Sequence, residues 1–443
     1  MVFVSAFMVF YYLKGGVIAI IALGFNVVCI LGSIAYIQDA TLTLPGIAGL
    51  ILTMGMAVDA NVLIHERIRE ELSKGKRLKT AIEAGYDRVF WTVFDSNLTT
   101  FITSLILYNM GTGPVQGFAL ILMIGIVSSI FTGVFITRTM YMILLRFTNM
   151  NEMKMLSMVP HTNVNFVGSR KKAYIFSFLL IAVSLVGFFM KGDKKWGVDF
   201  SGGVILGVNF QENVKIEDVR SCLKNVPDVA IQYFGSDKDI IVKAKTGQGE
   251  AIKDSLAKGN FPKYEVVREE DVGPLVGSEL KRSSLIALLL SFVAMIIYIG
   301  FRFEFSYGVG AIVALVHDTI ISAGIFCLMG YEFNVPIIAA LLTVVGYSIN
   351  DTIVIFDRIR EYLGSNSRKS QIELINEAIN STLSRTTLTS FATILVVIAL
   401  MVYGGGIIHD FAFVLFIGII IGTYSSIFVA SPIIVEMTRK NDK

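Results

Sequence analysis

The chain has 443 residues, of which 54% are hydrophobic and only 16% charged, and its mean hydropathy is +0.68. A soluble protein cannot hide that much apolar surface, so the composition points to a polytopic α-helical membrane protein. A net charge of +3 is too small to argue for a nucleic-acid partner, and three scattered cysteines, Cys29, Cys222 and Cys327, imply no disulfide framework.

The chain opens inside an apolar run, Met1 to Leu13, without a charged leader region or a small-residue cleavage site. That start reads as the interior of a longer protein and not as a signal peptide. Apolar stretches of spanning length follow at 16–38, 44–65, 91–110, 115–145, 173–190, 284–301, 306–330, 335–356, 386–403 and 409–436. With the first run they predict about eleven helices. Basic residues gather in loops at Arg67–Arg88, Arg146–Lys172 (with Lys154) and Arg358–Lys369, and again at Arg439–Lys443. Alternating helices put all of these on one side, the cytoplasm by the positive-inside rule. The turns at Ile37–Thr43, Asn109–Pro114, Gly330–Asn334 and Gly404–Ile408 carry neither Lys nor Arg.

One long segment, Lys191 to Lys281, then lies outside. A strand (Gly203–Phe210), a helix (Ile216–Asn225), strands at Ala230–Phe234 and Asp239–Ala244, a helix (Gly249–Lys258) and a last strand (Lys263–Arg268) are predicted in order. The order βαββαβ is that of a ferredoxin-like split unit.

An internal repeat dominates the rest. Pro45–Glu70 overlays Pro336–Glu361 without a gap, so that Gly55 falls on Gly346, Asp59 on Asn350 and Arg67 on Arg358. Leu98-Thr99-Thr100-Phe101 is echoed by Leu388-Thr389-Ser390-Phe391, and Gly125-Ile126 by Gly418-Ile419. Both copies run in the same sense. Such a parallel repeat has its pseudo-two-fold axis along the membrane normal, with function expected at the repeat interface.

Charge inside the membrane marks that interface. A carboxylate in hydrocarbon costs roughly 2.5–3.5 kcal/mol on insertion scales, yet Asp59 and Asp351 stand in matching helices, one residue out of register. Arg385 begins the next helix of the second copy amid hydroxyls, Thr387 among them, and its counterpart in the first copy is Asp95. Asn61 and Asn350 flank the two acids. An acid–base–acid cluster is what a proton relay requires, and a buried ion pair that only sets helix register is the alternative. His317-Asp318 is a second polar pair in an apolar helix, fit to feed protons or simply to pack. Gly197-Val198-Asp199-Phe200-Ser201-Gly202-Gly203 sits where a helix hands over to the outside domain, with Asp199, Gly202 and Gly203 as a candidate hinge or a plain turn. Four histidines without Cys pairs or an HExxH run leave a metal site without ligands. There is no P-loop and no Gly-x-Ser-x-Gly elbow, so no enzymatic chemistry and no cofactor is expected; energy would come from an ion gradient of protons.

Several motifs resemble one family. Ala57–Ile64 with Glu66–Glu71 is similar to the fourth membrane helix of SecD. The glycine-rich segment at 197–203, Val272–Leu280, Arg302-Phe303-Glu304, Leu315-Val316-His317-Asp318-Thr319 and Gly346–Glu361 are similar to SecF. The order is that of SecD fused to SecF. The resemblance implies a resistance-nodulation-division type membrane fold in the bacterial inner membrane, working with the SecYEG channel on translocating preproteins. It further implies that proton influx drives external domains that pull exported chains outward, with Asp59, Asp351 and Arg385 as the essential membrane residues. On that reading 1–146 are SecD-like helices lacking the first helix and large external domain, and 147–172 a cytoplasmic linker. Residues 173–190 are then the first SecF-like helix, 191–282 a periplasmic domain and 283–443 the remaining SecF-like helices. Two other functions share the fold and acids: a proton-driven exporter of small molecules or lipids, and a scaffold for the channel that transports nothing itself.

Overall fold

The computed structural model describes residues 2–37, 43–148, 153, 155–156, 162–227, 229–234, 236–364 and 368–441. The expected turn Ile37–Thr43, the linker 147–172, and the basic positions Lys154 and Lys443 lie wholly or partly outside these residues. The chain begins with α1 (Val2–Tyr12), α2 (Lys14–Tyr36), α3 (Leu44–Ser73), α4 (Leu78–Met110) and α5 (Pro114–Ile130), and a π-helical turn at Phe131–Ile136 leads into α6 (Thr137–Phe147). Next come α7 (Arg170–Met190), the single turn α8 (Val198–Ser201), β1 (Gly203–Phe210), α9 (Ile216–Cys222), β2 (Ala230–Phe234), β3 (Ser236–Ala244), α10 (Gly249–Lys258) and β4 (Tyr264–Val272). The second membrane half is α11 (Pro274–Arg302), α12 (Phe305–Leu328), α13 (Val335–Leu363), α14 (Gln371–Tyr403) and α15 (Gly405–Ser425). A π turn at Ser426–Ala430 then leads to α16 (Ser431–Asn441).

Among the described residues nine helices are long and apolar enough to cross a membrane. Two of the expected spans fall short for different reasons. The first run forms α1, which has only 11 residues. The stretch 91–110 lies in α4, 33 residues long, where Asp95, Ser96, Asn97, Thr99 and Thr100 interrupt the apolar run. Several helices also outlast their apolar stretches. Arg67 and Arg358 stand on the helical ends of α3 and α13, not in the loops where basic residues were expected, because Arg is a good helix former and pairs with Glu70 and Glu361 across one turn.

The repeat is visible in the packing. Helix α3 packs on α4 and α5 as α13 packs on α14 and α15, and the halves meet where α3 touches α14 and α13 touches α4. Both central helices start the same way, with a proline in the first turn and a side-chain cap: Thr43 Oγ1 on Gly46 N, Asn334 Oδ1 on Ile337 N, each 3.2 Å. Small residues let them approach their neighbours. A methyl group at Gly125 would lie 2.6 Å from Thr53, and one at the matching Gly418 would lie 2.2 Å from Val344. Helix α13 is the centre of the molecule, buried almost without a break from Ile337 to Phe356, whereas α7 and α11 expose Val, Leu and Phe side chains on the periphery, as the outer helices of a membrane bundle do.

The sheet order is β2-β3-β1-β4, antiparallel throughout, which is the ferredoxin-like arrangement expected from the element order. Leu206, Val208 and Phe210 of β1 pack with Val219 of α9, with Leu223 just after it, and with Ile252 and Leu256 of α10. The last strand runs on to Val272, past the expected end at Arg268. Its Arg268-Glu269-Glu270-Asp271 run disguises it, being the charged sequence of an edge strand guarded against pairing with another chain.

Candidate functional site

Three helices deliver the central charges. Asp59 comes from α3, Asp351 from α13 and Arg385 from α14, and all three side chains are buried. The Arg385 guanidinium stands between the acids, with Nη2 3.1 Å from Asp59 Oδ1 and Nη1 3.9 Å from Asp351 Oδ1. Asp59 Oδ2 also accepts a 2.5 Å hydrogen bond from Asn350 Nδ2, so the residue that matches Asp59 in the repeat now holds it. Asp351 is less well supplied: Ser390 Oγ donates to its Oδ2 at 3.4 Å, and that hydroxyl is 2.7 Å from Thr423 Oγ1 of α15. Arg385 Nε and Thr386 Oγ1 have no hydrogen-bond partner among the described residues.

Close helix approach makes the geometry possible. Gly346, one turn before Asn350, lets α4 come so near that Thr100 Oγ1 donates to its carbonyl at 3.0 Å. From the basic end of the bundle a cavity of about 970 Å³ reaches inward to Arg385. Its mouth is framed by a quartet that repeats the internal symmetry: Arg67 pairs with Glu70 at 2.8 Å and Glu361 at 3.2 Å, while Arg358 pairs with Glu361 at 2.6 Å and Glu70 at 2.8 Å. Charged groups therefore line a polar path from one surface to the centre.

The other expected polar residues go elsewhere. Asp95 is buried away from the triad, accepting from Tyr298 Oη at 2.9 Å and Arg302 Nε at 2.5 Å. Arg302 belongs to the Arg-Phe-Glu motif, and its pairing with Asp95 across α4 and α11 left no local signal in the sequence. Thr387 is exposed on the far face of α14, and Ser390, one turn on, takes the place expected of it. Asn61 turns back to its own helix, donating to Ala57 O at 3.0 Å. His317 and Asp318 form a buried cluster with Ser348 and Ser425.

At the other end of α13, Asp199 Oδ2 accepts from Val335 N at 2.9 Å, so the glycine-rich segment caps the helix that carries Asp351. Burial raises the Asp199 carboxyl above the usual aspartate range, and the Val335 N–H opposes that shift. Gly202 and Gly203 adopt φ of +76° and +140°, a region that side chains rarely tolerate. Gly197 N and Phe333 O pair at 2.7 Å beside a Trp196–Phe333 bridge, and Lys243 of β3 reaches Glu332 at 2.7 Å. The sheet domain is thus tied by backbone and side chain to the start of α13.

Among the described residues no cluster of His, Cys, Asp and Glu is arranged to hold a metal ion. The fold and site define a multi-pass membrane protein of two parallel repeats, with a buried acid–base–acid cluster at their interface. Residues 1–146 and 252–440 match the family described as "Protein export membrane protein SecD/SecF, C-terminal". The SecDF translocase subunit of Brucella abortus is 37% identical over 99% of this chain and 59% of its own length, and that of Thermus thermophilus is 38% identical over 87% and 53%. The SecF subunit of Desulfurispirillum indicum is 44% identical over 61% of this chain and 91% of its own length. A crystal structure of Thermus thermophilus SecDF, described as a translocon-associated membrane protein, superposes with a TM-score of 0.90 at 37% identity, covering 99% of this chain and 61% of that one. The chain belongs to the SecD/SecF family, and with it to the multi-pass proteins of the bacterial cytoplasmic membrane. It spans less than two thirds of the length of each of these SecDF relatives.

Proposed function

We propose that this chain is the proton-conducting membrane part of a protein-export subunit, using proton influx to move the sheet domain and so assist preproteins through the SecYEG channel. The observation that carries the reading is Arg385 held between Asp59 and Asp351, one acid from each half, at the inner end of an open polar cavity.

Charge arithmetic gives the mechanism. Two carboxylates and one guanidinium carry a net negative charge, which the low-dielectric surroundings disfavour; one bound proton makes the cluster neutral. Asp59 already holds Arg385 and Asn350, so Asp351 is the acid that takes the proton. When Asp351 gives it up, Arg385 is drawn across from Asp59, and the balance of attraction between α3 and α13 changes. A charge crossing 100 mV gains about 2.3 kcal/mol. Two charges 4 Å apart at an effective dielectric of about 20 attract by about 4 kcal/mol, so one proton per switch is of the right order. Through Asp199 and Val335 a shift of α13 reaches the sheet domain, on the periplasmic side by the placement of the basic residues.

The test is proton flux into liposomes containing the full chain under an imposed pH gradient, together with export in cells. Asp351→Asn and Arg385→Ala are expected to reduce both at least about tenfold, equivalent to about 1.4 kcal/mol or more in a barrier, while membrane assembly stays normal. Wild-type export with both substitutions would leave the charges as helix locks. A drug-sensitivity phenotype with intact secretion would favour the exporter reading.

A further inference from the structure

The buried aspartates of the membrane region are Asp59, Asp95, Asp318 and Asp351 among the described residues. Three of them face an arginine: Arg385 serves Asp59 and Asp351, and Arg302 serves Asp95. Asp318 does not. Among the described residues its one ion-pair partner is His317, whose Nδ1 lies 2.8 Å from Asp318 Oδ1. Ser348 Oγ of α13 and Ser425 Oγ of α15 both donate to Oδ2, at 2.5 and 2.7 Å. The countercharge of this carboxylate is therefore an imidazole, which carries a charge only when it binds a second proton.

The imidazole is also incompletely used. His317 is 3% exposed, yet its Nε2 has no hydrogen-bond partner among the described residues. The titratable groups meeting the pair are few: Tyr424 of α15 stacks on the ring with centroids 6.1 Å apart, and its own hydroxyl is held by Ser177 and the Ala173 carbonyl of α7. From α13 and α15 the remaining contacts are the hydroxyls of Ser348 and Ser425; no hydrogen bond or ion pair joins the pair to α11 or α16 among the described residues.

The repeat supplies a control built into the same chain. Asn26 in α2 stands as far before Pro45 as His317 stands before Pro336. It too is fully buried, and its Nδ2 meets Ser128 Oγ and Ser129 Oγ at 3.1 Å, just before the first π turn, and Thr132 Oγ1 at 3.4 Å within it. Ser425 likewise immediately precedes the second π turn. A neutral amide thus does the packing in the first half, and only the second half has an acid and a titratable base at the corresponding place. Packing alone does not require the histidine.

We propose that His317 and Asp318 form a second proton-binding site in this chain, separate from the Asp59–Arg385–Asp351 cluster and one turn of α13 away from it. Protonation at Nε2 converts a buried net anion into a neutral imidazolium–carboxylate pair, and loss of the same proton restores the anion. Ser348, which donates to Asp318, lies one turn before Asp351 on α13 and so on the same side of that helix. A change of charge at either cluster is felt at the other across that turn. The inference rests on the proton-conducting reading, and the experiment separates the two.

Proton flux is measured in liposomes containing wild type, His317→Asn or Asp351→Asn, from about pH 5 to pH 8, the window of histidine titration. His317→Asn places the amide of the first half at this position but leaves Asp318 without its imidazole, so its flux is read alongside its elution in detergent, and a variant that aggregates is replaced by His317→Gln. Flux is expected to fall at least about tenfold, with the wild-type pH dependence flattened. Unchanged flux and pH profile in His317→Asn, with Asp351→Asn inactive, overturns the second site and leaves the central relay standing. Equal flux in wild type and Asp351→Asn overturns both. Nitrogen-15 imidazole spectra of the full chain, assigned through His65→Gln, His161→Gln and His409→Gln, give an independent reading that needs no His317 variant: the His317 ring is expected to change protonation state within that window, and a single state throughout would refute the proposal.

Discussion

At the scale of single residues, the central site depends on the shape of arginine as well as its charge. Arg385 reaches acids on two different helices with two different nitrogens, which a point charge on a flexible stem cannot copy. Arg385→Lys is therefore expected to keep part of the Asp59 pairing but to lose the reach to Asp351. Flux in liposomes should fall well below wild type while staying above Arg385→Ala; equal flux in the lysine variant and wild type would show that the fork is not needed. That acids and a base would meet was readable from the cost of burying them. Which polar neighbours join them was not: Thr387 and Ser390 are one turn apart, and only the rotation of α14 decides that Ser390 faces Asp351 and Thr387 faces outward.

Between elements, the repeat is symmetric in sequence but unequal in packing. Gly55 and Gly346 hold matching places, yet a methyl at Gly55 would meet Val396 at 3.4 Å, an ordinary contact, whereas one at Gly346 would meet Thr103 Oγ1 at 2.7 Å and the Thr100 Cα at 3.2 Å. Gly346→Ala is expected to cost about 1–3 kcal/mol by overpacking and to push α4 away from the charged centre. Gly55→Ala should be close to neutral. Thermal unfolding in one detergent, comparing the two variants, checks this; equal losses would mean that the difference in helix spacing is not real. The quartet at the cavity mouth is a further element-scale device. Glu361 is half exposed there while Arg358 is nearly buried, so a double-mutant cycle should give Arg358–Glu70 a larger coupling energy than Arg67–Glu361, the latter no more than about 1 kcal/mol.

For the whole molecule, the connection between sheet domain and membrane passes through Asp199. Its carboxyl is raised by burial, so the fold favours the protonated form. That contribution is fully present below the unfolded value of about 3.9 and is lost as the pH rises through the higher folded value. Asp199→Asn keeps an oxygen acceptor for Val335 N and carries no charge. Its melting temperature should therefore rise relative to wild type as the pH increases from about 3.5 to 7. Melting curves that stay parallel across that range would refute the burial argument. Loss of flux-coupled export in Asp199→Ala with proton conduction intact would place this residue on the route between the two parts.

Periodicity, composition and the gapless overlay of Pro45–Glu70 on Pro336–Glu361 were enough to determine a membrane protein of two parallel repeats, the strand order of its small domain and the acids at its centre, because each of these is written locally or in the cost of burying charge. Tertiary structure decided the rest. Asp95 with Arg302, Ser390 with Asp351, Asp318 with Ser425 and Asp199 with Val335 all join residues far apart in the chain, and each pairing depends on helix rotation and on how closely a glycine allows two backbones to approach. A one-dimensional pattern carries the direction in which a side chain leaves its own helix, but not what the neighbouring helix has placed there.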